Sequence, residues 1–269
     1  MLSWSVWKST SIMDRLVSTK PRNTIFSHST LHRQGVPDAF VPIIKMRFSG
    51  IPVRSQSDHP PAHEPYSSLQ LDISFARLAL QRIPEDLTLS DDDILSQTDD
   101  ISSRSLNGTR DAQAILRLIP SQTTFANALR AIKHWAKRRA LYGKPVGFFN
   151  GIAWTIIVAR VCQLYPNATS AVIVAAVFEF CQNHPWPEPV LLKHITPARP
   201  NIKVWNPKID MQDRADRMPV ITPAFPSKCV THTVTESTQI VLIAELERGR
   251  LVRWVVQWRS SGEAVVVAE

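Results

Sequence analysis

The sequence predicts an α+β chain, a short β-rich segment followed by a mainly helical region. Three observations carry that expectation. "DAFVPIIKMRFSGI" alternates apolar and polar residues from Phe40 to Phe48, between Pro37 and Gly50, with the period of a half-buried strand. "LDISFARL" resumes the alternation at Leu71. From Thr124 to Leu141, residues Phe125, Ala128, Leu129, Ile132, Trp135 and Ala136 recur at spacings of 3 and 4, which sets them on one helical face.

Taken in order, residues 1–35 are rich in Ser, Thr and basic side chains and keep no sustained period, so disorder is expected there and order is expected to begin near Val36. The first strand ends at an interruption, "VRSQSDHPPAHEPYSSLQ" over residues 53–70, whose prolines and polar residues predict an unstructured insertion. The second strand holds a puzzle. Leu71, Ile73 and Phe75 ask to be buried, yet Asp72 stands among them, and a carboxylate at a strand edge is costly to desolvate unless a cation meets it.

After Pro84 the pattern turns helical. In "SDDDILSQ", Ser90 is the expected N-cap, with Asp91, Asp92 and Asp93 in a first turn where the helix dipole favours acids. Beyond the helix at 124–141, "GIAWTIIVARVCQLY" and "SAVIVAAVFEFCQN" read as two buried helices joined at "PNAT". From Pro185 on, recurring prolines predict irregular structure.

Composition bounds the function. A chain of 269 residues can close one large or two modest cores. Lys and Arg number 31 against 23 Asp and Glu, which points to an anionic partner without choosing among RNA, DNA and acidic protein. Cys162, Cys181 and Cys229 are odd in number, with no CxxC pair, and fit buried thiols in a reducing intracellular compartment. The opening "MLSWSVWKSTS" has no signal-peptide apolar run, and segments 152–162 and 171–181 are too short to span a bilayer, so a soluble protein with no membrane partner is expected. The sequons at Asn107 and Asn167 then stay unmodified.

Few residues offer chemistry. Arg130, Lys133 and Lys137 make a basic stripe beside the apolar face of the 124–141 helix; like charges one turn apart repel by roughly a few tenths of a kcal/mol, a cost that an anion reverses. A solvated face is the alternative. Tyr142 follows the helix, and "GKPVGFFNG" brings Gly143, Gly147 and Gly151 into a loop where backbone can approach a phosphate or base. Its spacing is not that of a P-loop. His28 and His32, like His59 and His63, lack a matching Glu or Cys for zinc, and His134 reads as a surface residue. A helical DNA reader would need an exposed recognition face; on the basic helix Trp135 points inward instead.

Six stretches in order, "VPDAFVPIIK", "DISFARLAL", "RSLNGTR", "LRAIKHWAKRRALY", "CQLYPNA" and "DRADRMPVITPAFPS", closely resemble the eukaryotic nuclear poly(A) polymerases, the fungal branch above all. The resemblance runs from Val36 to Gly249 apart from residues 53–70. It implies a partial nucleotidyltransferase palm over 36–80, a central helical domain over 81–249 and a divergent tail over 250–269. It also implies adenylyl transfer from ATP to RNA 3′ ends by a two-metal mechanism with Mg2+, Mn2+ being an alternative, in the nucleus and alongside the cleavage and polyadenylation machinery. In that family three aspartates hold the ions, and the resemblance makes Asp72 the third, both catalytic and metal-binding. Lys133 and Tyr142 match residues that hold the triphosphate, Lys137 a nearby basic position suited to ATP or RNA phosphate, Asn107 the residue at the ribose, and Gly151 with Ile152 a backbone and apolar pair at the adenine.

The departures are specific. Lys144 stands where the family usually has Asn, and Asn150 where it has Gly. Residues 1–34 contain neither a Gly-Ser turn nor a D-x-D, so two of the three carboxylates are absent and a catalytically inactive nucleotide- or RNA-binding fragment is the alternative. Removing residues 53–70 closes Gly50 to Asp72 to the family spacing, as expected for an unspliced intron.

Overall fold

Antiparallel pairing organises the first part of the chain in the computed structural model, which describes residues 30–36, 41–52, 66–80, 82–84, 87–199, 202–251, 255–258 and 264–267. Strands β1 (Thr30–Val36), β2 (Ile43–Pro52) and β3 (Tyr66–Ser74) form a three-stranded sheet in that order. The chain divides into two compact units, 1–108 and 109–269.

The sheet revises three expectations. β1 lies within the stretch expected to be disordered: its backbone pairs with β2 from Thr30↔Ser49 to Val36↔Ile43, and ladder bonding supplies what its own polar sequence does not forecast. Residues 66–70, expected inside the insertion, belong to β3; residues 53–65 and 1–29 lie outside the described residues. Leu71, Ile73 and Phe75 are 42%, 47% and 44% exposed rather than buried, because β3 is an edge strand and no second layer covers that face among the described residues.

The β2–β3 register carries a further meaning. Met46 pairs with Leu71, Lys45 with Asp72, Ile44 with Ile73 and Ile43 with Ser74. A two-residue turn at Ser49 and Gly50, with Pro52 joined directly to Leu71, gives the same four pairs. The hairpin base is therefore indifferent to residues 53–70.

Next comes a 3-10 turn over Asp92–Gln97, shorter than the predicted helix and capped by Asp91, not Ser90; the Asp91 carboxylate accepts from Asp93 N at 2.9 Å. Asp99 starts helix α1 (Asp100–Leu118) by accepting from Ser102 N at 2.7 Å and from Arg77 Nη2 at 2.6 Å. Burial pushes the Asp99 carboxyl up, but those hydrogen bonds outweigh it and hold it below the usual range.

In the second unit, helix α2 (Gln122–Arg138) follows its N-cap Ser121 and buries Phe125, Ala128, Ile132 and Ala136, the predicted face. Helices α3 (Gly151–Leu164) and α4 (Ser170–Asn183) are apolar on most sides and form the core with α2. Trp135 joins all three, meeting Trp154 edge-on at 5.9 Å and Phe178 at 4.8 Å between ring centroids. No disulfide engages the cysteines, and burial pushes the thiols of Cys162, Cys181 and Cys229 up to about 11, 12 and 11.

The proline-rich stretch is irregular as expected, held by isolated bridges such as Val190↔Val220 and the single-turn helix α5 (Met211–Arg214). The prolines stop at Pro226, however, and helix α6 (Glu236–Leu251) follows, started by reciprocal bonds between Thr235 and Thr238. Gly249 lets α6 approach α4 closely, since a Cβ there would lie 2.5 Å from Phe178 Cε1. Within the tail, β4 (Val255–Trp258) pairs antiparallel with β5 (Ala264–Val267). No helix among the described residues is long and apolar enough to cross a membrane.

One buried lock ties α1 to the irregular stretch. Asp111 accepts from Ala224 N at 3.1 Å, and Arg110 Nη1 donates to the carbonyl of Phe225. Burial pushes the Asp111 carboxyl up to about 6, against the pull of the Ala224 N–H and of Arg110, Lys228 and Lys193.

Because the folded-state value lies above the ordinary 3.8, the stabilising effect of Asp111 is present at acid pH and is lost as pH rises through about 6. Asp111→Asn keeps an acceptor for Ala224 N without the titration. Urea midpoints should show the parent losing about 2–3 kcal/mol relative to this variant between pH 4 and 7; a difference independent of pH would count against the lock as described. Deleting residues 53–70 should leave a cooperatively folding chain whose thermal midpoint is not lowered, since a shorter loop closes at smaller entropic cost. Loss of cooperative melting would show that the register depends on the insertion.

Candidate functional site

Chain reversal after α2 builds the site. Ala140 takes a left-handed conformation (φ 57°), Leu141 N bonds back to Ala136 O at 2.8 Å, and the Leu141 side chain enters the core. Gly143 (φ 137°) and Gly147 (φ 77°) flank a 3-10 turn at Lys144–Val146, conformations that side chains resist. Gly143 N then bonds to Phe149 O at 3.1 Å, and Phe149 is fully buried. This folds Tyr142 back onto the first turn of α3, where Asn150 is the N-cap and accepts from Ala153 N at 3.0 Å.

Three positive features meet there. A Cβ on Gly151 would lie 2.7 Å from Tyr142 Oη and 3.6 Å from Lys133 Nζ, so both polar tips converge over the bare Cα. The start of α3 adds the equivalent of roughly half a positive charge. Lys133 is half-buried, and burial first, then the Lys137 ammonium, hold its own ammonium below the usual lysine range. A partly desolvated cation, a hydroxyl and a helix N-terminus aimed at one point make a receptor for an anion.

The other predicted residues are placed as follows. Lys137 is exposed, with Nζ 5.2 Å from the centroid of the Tyr142 ring. Ile152 is half-buried and packs against the core. Arg130 Nη1 donates to Asn127 Oδ1 one turn back along the same helix at 3.0 Å. His134 is exposed, as expected. Lys133, Lys137, Tyr142, Gly151 and Ile152 all belong to the second unit, whereas Asp72 and Asn107 belong to the first. Asn107 Oδ1 is enclosed without a hydrogen-bond partner among the described residues. Asp72 is exposed, and Lys45 stands directly across from it on β2.

Sequence reasoning missed two features. Lys45 follows from the hairpin register rather than from any local motif. Thr233, Thr235 and Thr238 line a cavity of about 610 Å3 with Lys144, Pro145, Val146 and Gly147, and Thr233 Oγ1 is buried without a partner. These threonines lie some ninety positions downstream of Lys144, so spacing gave no signal. Among the described residues no group of three or more His, Cys, Asp and Glu is placed to hold a metal ion.

Comparison with known proteins adds to this geometry. The family described as poly(A) polymerase central domain matches residues 124–262, and the one described as poly(A) polymerase nucleotidyltransferase domain matches residues 60–119. Poly(A) polymerase PAPa of Candida albicans is 50% identical over 214 residues, covering 80% of this chain and 35% of that protein. Poly(A) polymerase pla1 of Schizosaccharomyces pombe is 47% identical over 213 residues, covering 79% and 34%. The chain thus spans about a third of the length of the curated relatives it matches. A solved cytoplasmic RNA terminal U-transferase aligns with 82% of this chain and 68% of its own at 13% identity and a TM-score of 0.38, too distant to carry an argument.

Gly151→Ala tests the convergence. The clashing atom is the mobile tip of Tyr142, and Ala suits a helix, so stability should change by no more than about 1 kcal/mol. Displacing the hydroxyl should still weaken binding of inorganic tripolyphosphate about tenfold by calorimetry, one charge-assisted hydrogen bond being worth about that much. Unchanged affinity would remove Tyr142 from the site.

Proposed function

Because the chain belongs to the poly(A) polymerase family, we propose that the start of α3 binds the triphosphate of ATP, and that the protein to which this chain belongs transfers adenylate from ATP to RNA 3′ ends in mRNA polyadenylation. One observation carries the reading: Lys133 and the Tyr142 hydroxyl converge on Gly151 at a helix N-terminus. Lys133 supplies charge to the phosphate oxygens, Tyr142 donates its O–H, and the bare Gly151 lets the backbone approach. Ile152 offers an apolar surface to the base.

The metal half of the chemistry is supported less. Divalent ions, Mg2+ with Mn2+ as the alternative, would supply Lewis-acid chemistry for the RNA 3′ hydroxyl and the pyrophosphate, and Asp72 is the residue that would hold them. Asp72 is one carboxylate, faces Lys45, and has no companions placed to complete a site among the described residues. These residues do not by themselves fit a two-ion centre, so no step is assigned to one. The same reading expects a nuclear protein acting beside the cleavage and polyadenylation machinery, with RNA attracted by the formal charge of +8.

A second reading, a nucleotide- or RNA-binding fragment without catalysis, is favoured by the Lys45–Asp72 register, which offers the carboxylate a counter-charge other than a metal. Calorimetry with ATP tests what both readings share. Lys133→Ala should weaken ATP binding about 10- to 100-fold, the loss of a charged contact, and equal affinities would overturn the site. Incubation with ATP, Mg2+ and an oligo(A) primer then separates them: extension abolished by Asp72→Ala supports transfer, and binding without extension supports the fragment.

A further inference from the structure

We propose that Lys137 is a positioning residue that holds the Tyr142 ring with its hydroxyl over Gly151, and does not itself contact the bound anion. The inference rests on the ATP reading above and refines its site. The reversal at Ala140 and the buried Leu141 fix where the Tyr142 backbone lies, and the half-buried ring packs in part against the core. Lys137 adds a hold on the ring from the helix α2 side. Its Nζ lies 5.2 Å from the ring centroid, within the range at which an ammonium is attracted to the negative face of an aromatic ring.

The geometry separates two tasks. An ammonium over the ring face occupies a different direction from the hydroxyl, which leaves the ring at its edge in the ring plane. That edge is where Tyr142 Oη and Lys133 Nζ meet at Gly151. Lys133 and Lys137 stand one turn apart on α2, so both side chains leave the same face of the helix. One reaches the hydroxyl, the other the ring face. Lys137 is also close enough to disfavour the charge on Lys133, so the ring offers its ammonium a seat that relieves part of the repulsion.

A double-mutant cycle tests this. Affinities for ATP and for inorganic tripolyphosphate are measured by calorimetry in the parent, Lys137→Met, Tyr142→Leu and the double variant, at raised ionic strength to screen the long-range pull of an exposed lysine. Lys137→Met should weaken both ligands about two- to fivefold in the parent background and have no further effect once Tyr142 is Leu. An equal loss in both backgrounds would mean that Lys137 touches the anion, which overturns the proposal. A ligand-free readout stands beside it. After reductive 13C-methylation, the Lys137 methyl signals should be shifted by the ring in the parent and return to the ordinary lysine position in Tyr142→Leu; no shift in the parent overturns the proposal as well. Failure of the parent to bind either ligand would overturn the ATP reading instead, and the methyl signals would then decide the Lys137–Tyr142 contact alone.

Discussion

A lysine held out of water beside a second lysine is the constraint on which the site depends. Lys133 follows Ile132, which is fully buried, and precedes Trp135, which packs edge-on against α3 and α4. The apolar stripe of α2 therefore decides where Lys133 Nζ lies, and the position is half inside the protein. Charge in such a place is unfavourable until an anion arrives. The core thus pre-loads the site: packing of Ala128, Ile132 and Ala136 sets the cation, and the reversal through Ala140 and Leu141 sets the hydroxyl against it. Neither needs to move for an anion to bind, and that lowers the ordering cost of binding.

What was legible in the sequence follows from how local each signal is. α2 was readable because its stripe repeats over about three turns, and α3 and α4 because their apolar runs are bounded by Gly151, by "PNAT" and by Pro185. Lys133, Lys137, Tyr142 and Gly151 lie within nineteen consecutive residues, so a helix, a reversal and a helix sufficed to gather them. α6 escaped notice for the opposite reason. Ile240 and Val241 are 63% and 45% exposed while Leu242 and Leu246 are buried, so its apolar residues do not sort onto one face. The Asp111–Ala224 lock joins positions 113 residues apart, and no local pattern could have announced it.

The sheet shows a different limit. Alternation identified both predicted strands, but period alone cannot say whether a second layer covers them, and Leu71, Ile73 and Phe75 were assigned to a core that the described residues do not supply. Pairing partners are also invisible to period. β1 has a polar sequence that gains its order from β2, and Lys45 becomes the neighbour of Asp72 only through the hairpin. The reason a carboxylate can sit in that apolar run is then partly plain. Its side of the sheet is open to water, and a cation stands opposite it whether or not a metal binds.

The two halves of nucleotidyl-transfer chemistry make unequal demands on a chain of this length. A phosphate receptor needs one or two cations, a donor and a helix start, all of which can come from adjacent elements on one packed core, and the second unit supplies them. A two-ion centre needs several carboxylates held together against their mutual repulsion, which takes neighbouring strands of a rigid sheet. The first unit contributes Asp72 on an edge strand of a three-stranded sheet. On that open edge the aspartate faces Lys45 and has no second carboxylate placed with it to hold a metal among the described residues. The anion receptor is thus built into the packed core of the second unit, whereas a two-ion centre needs carboxylates that the described residues of the sheet do not bring together.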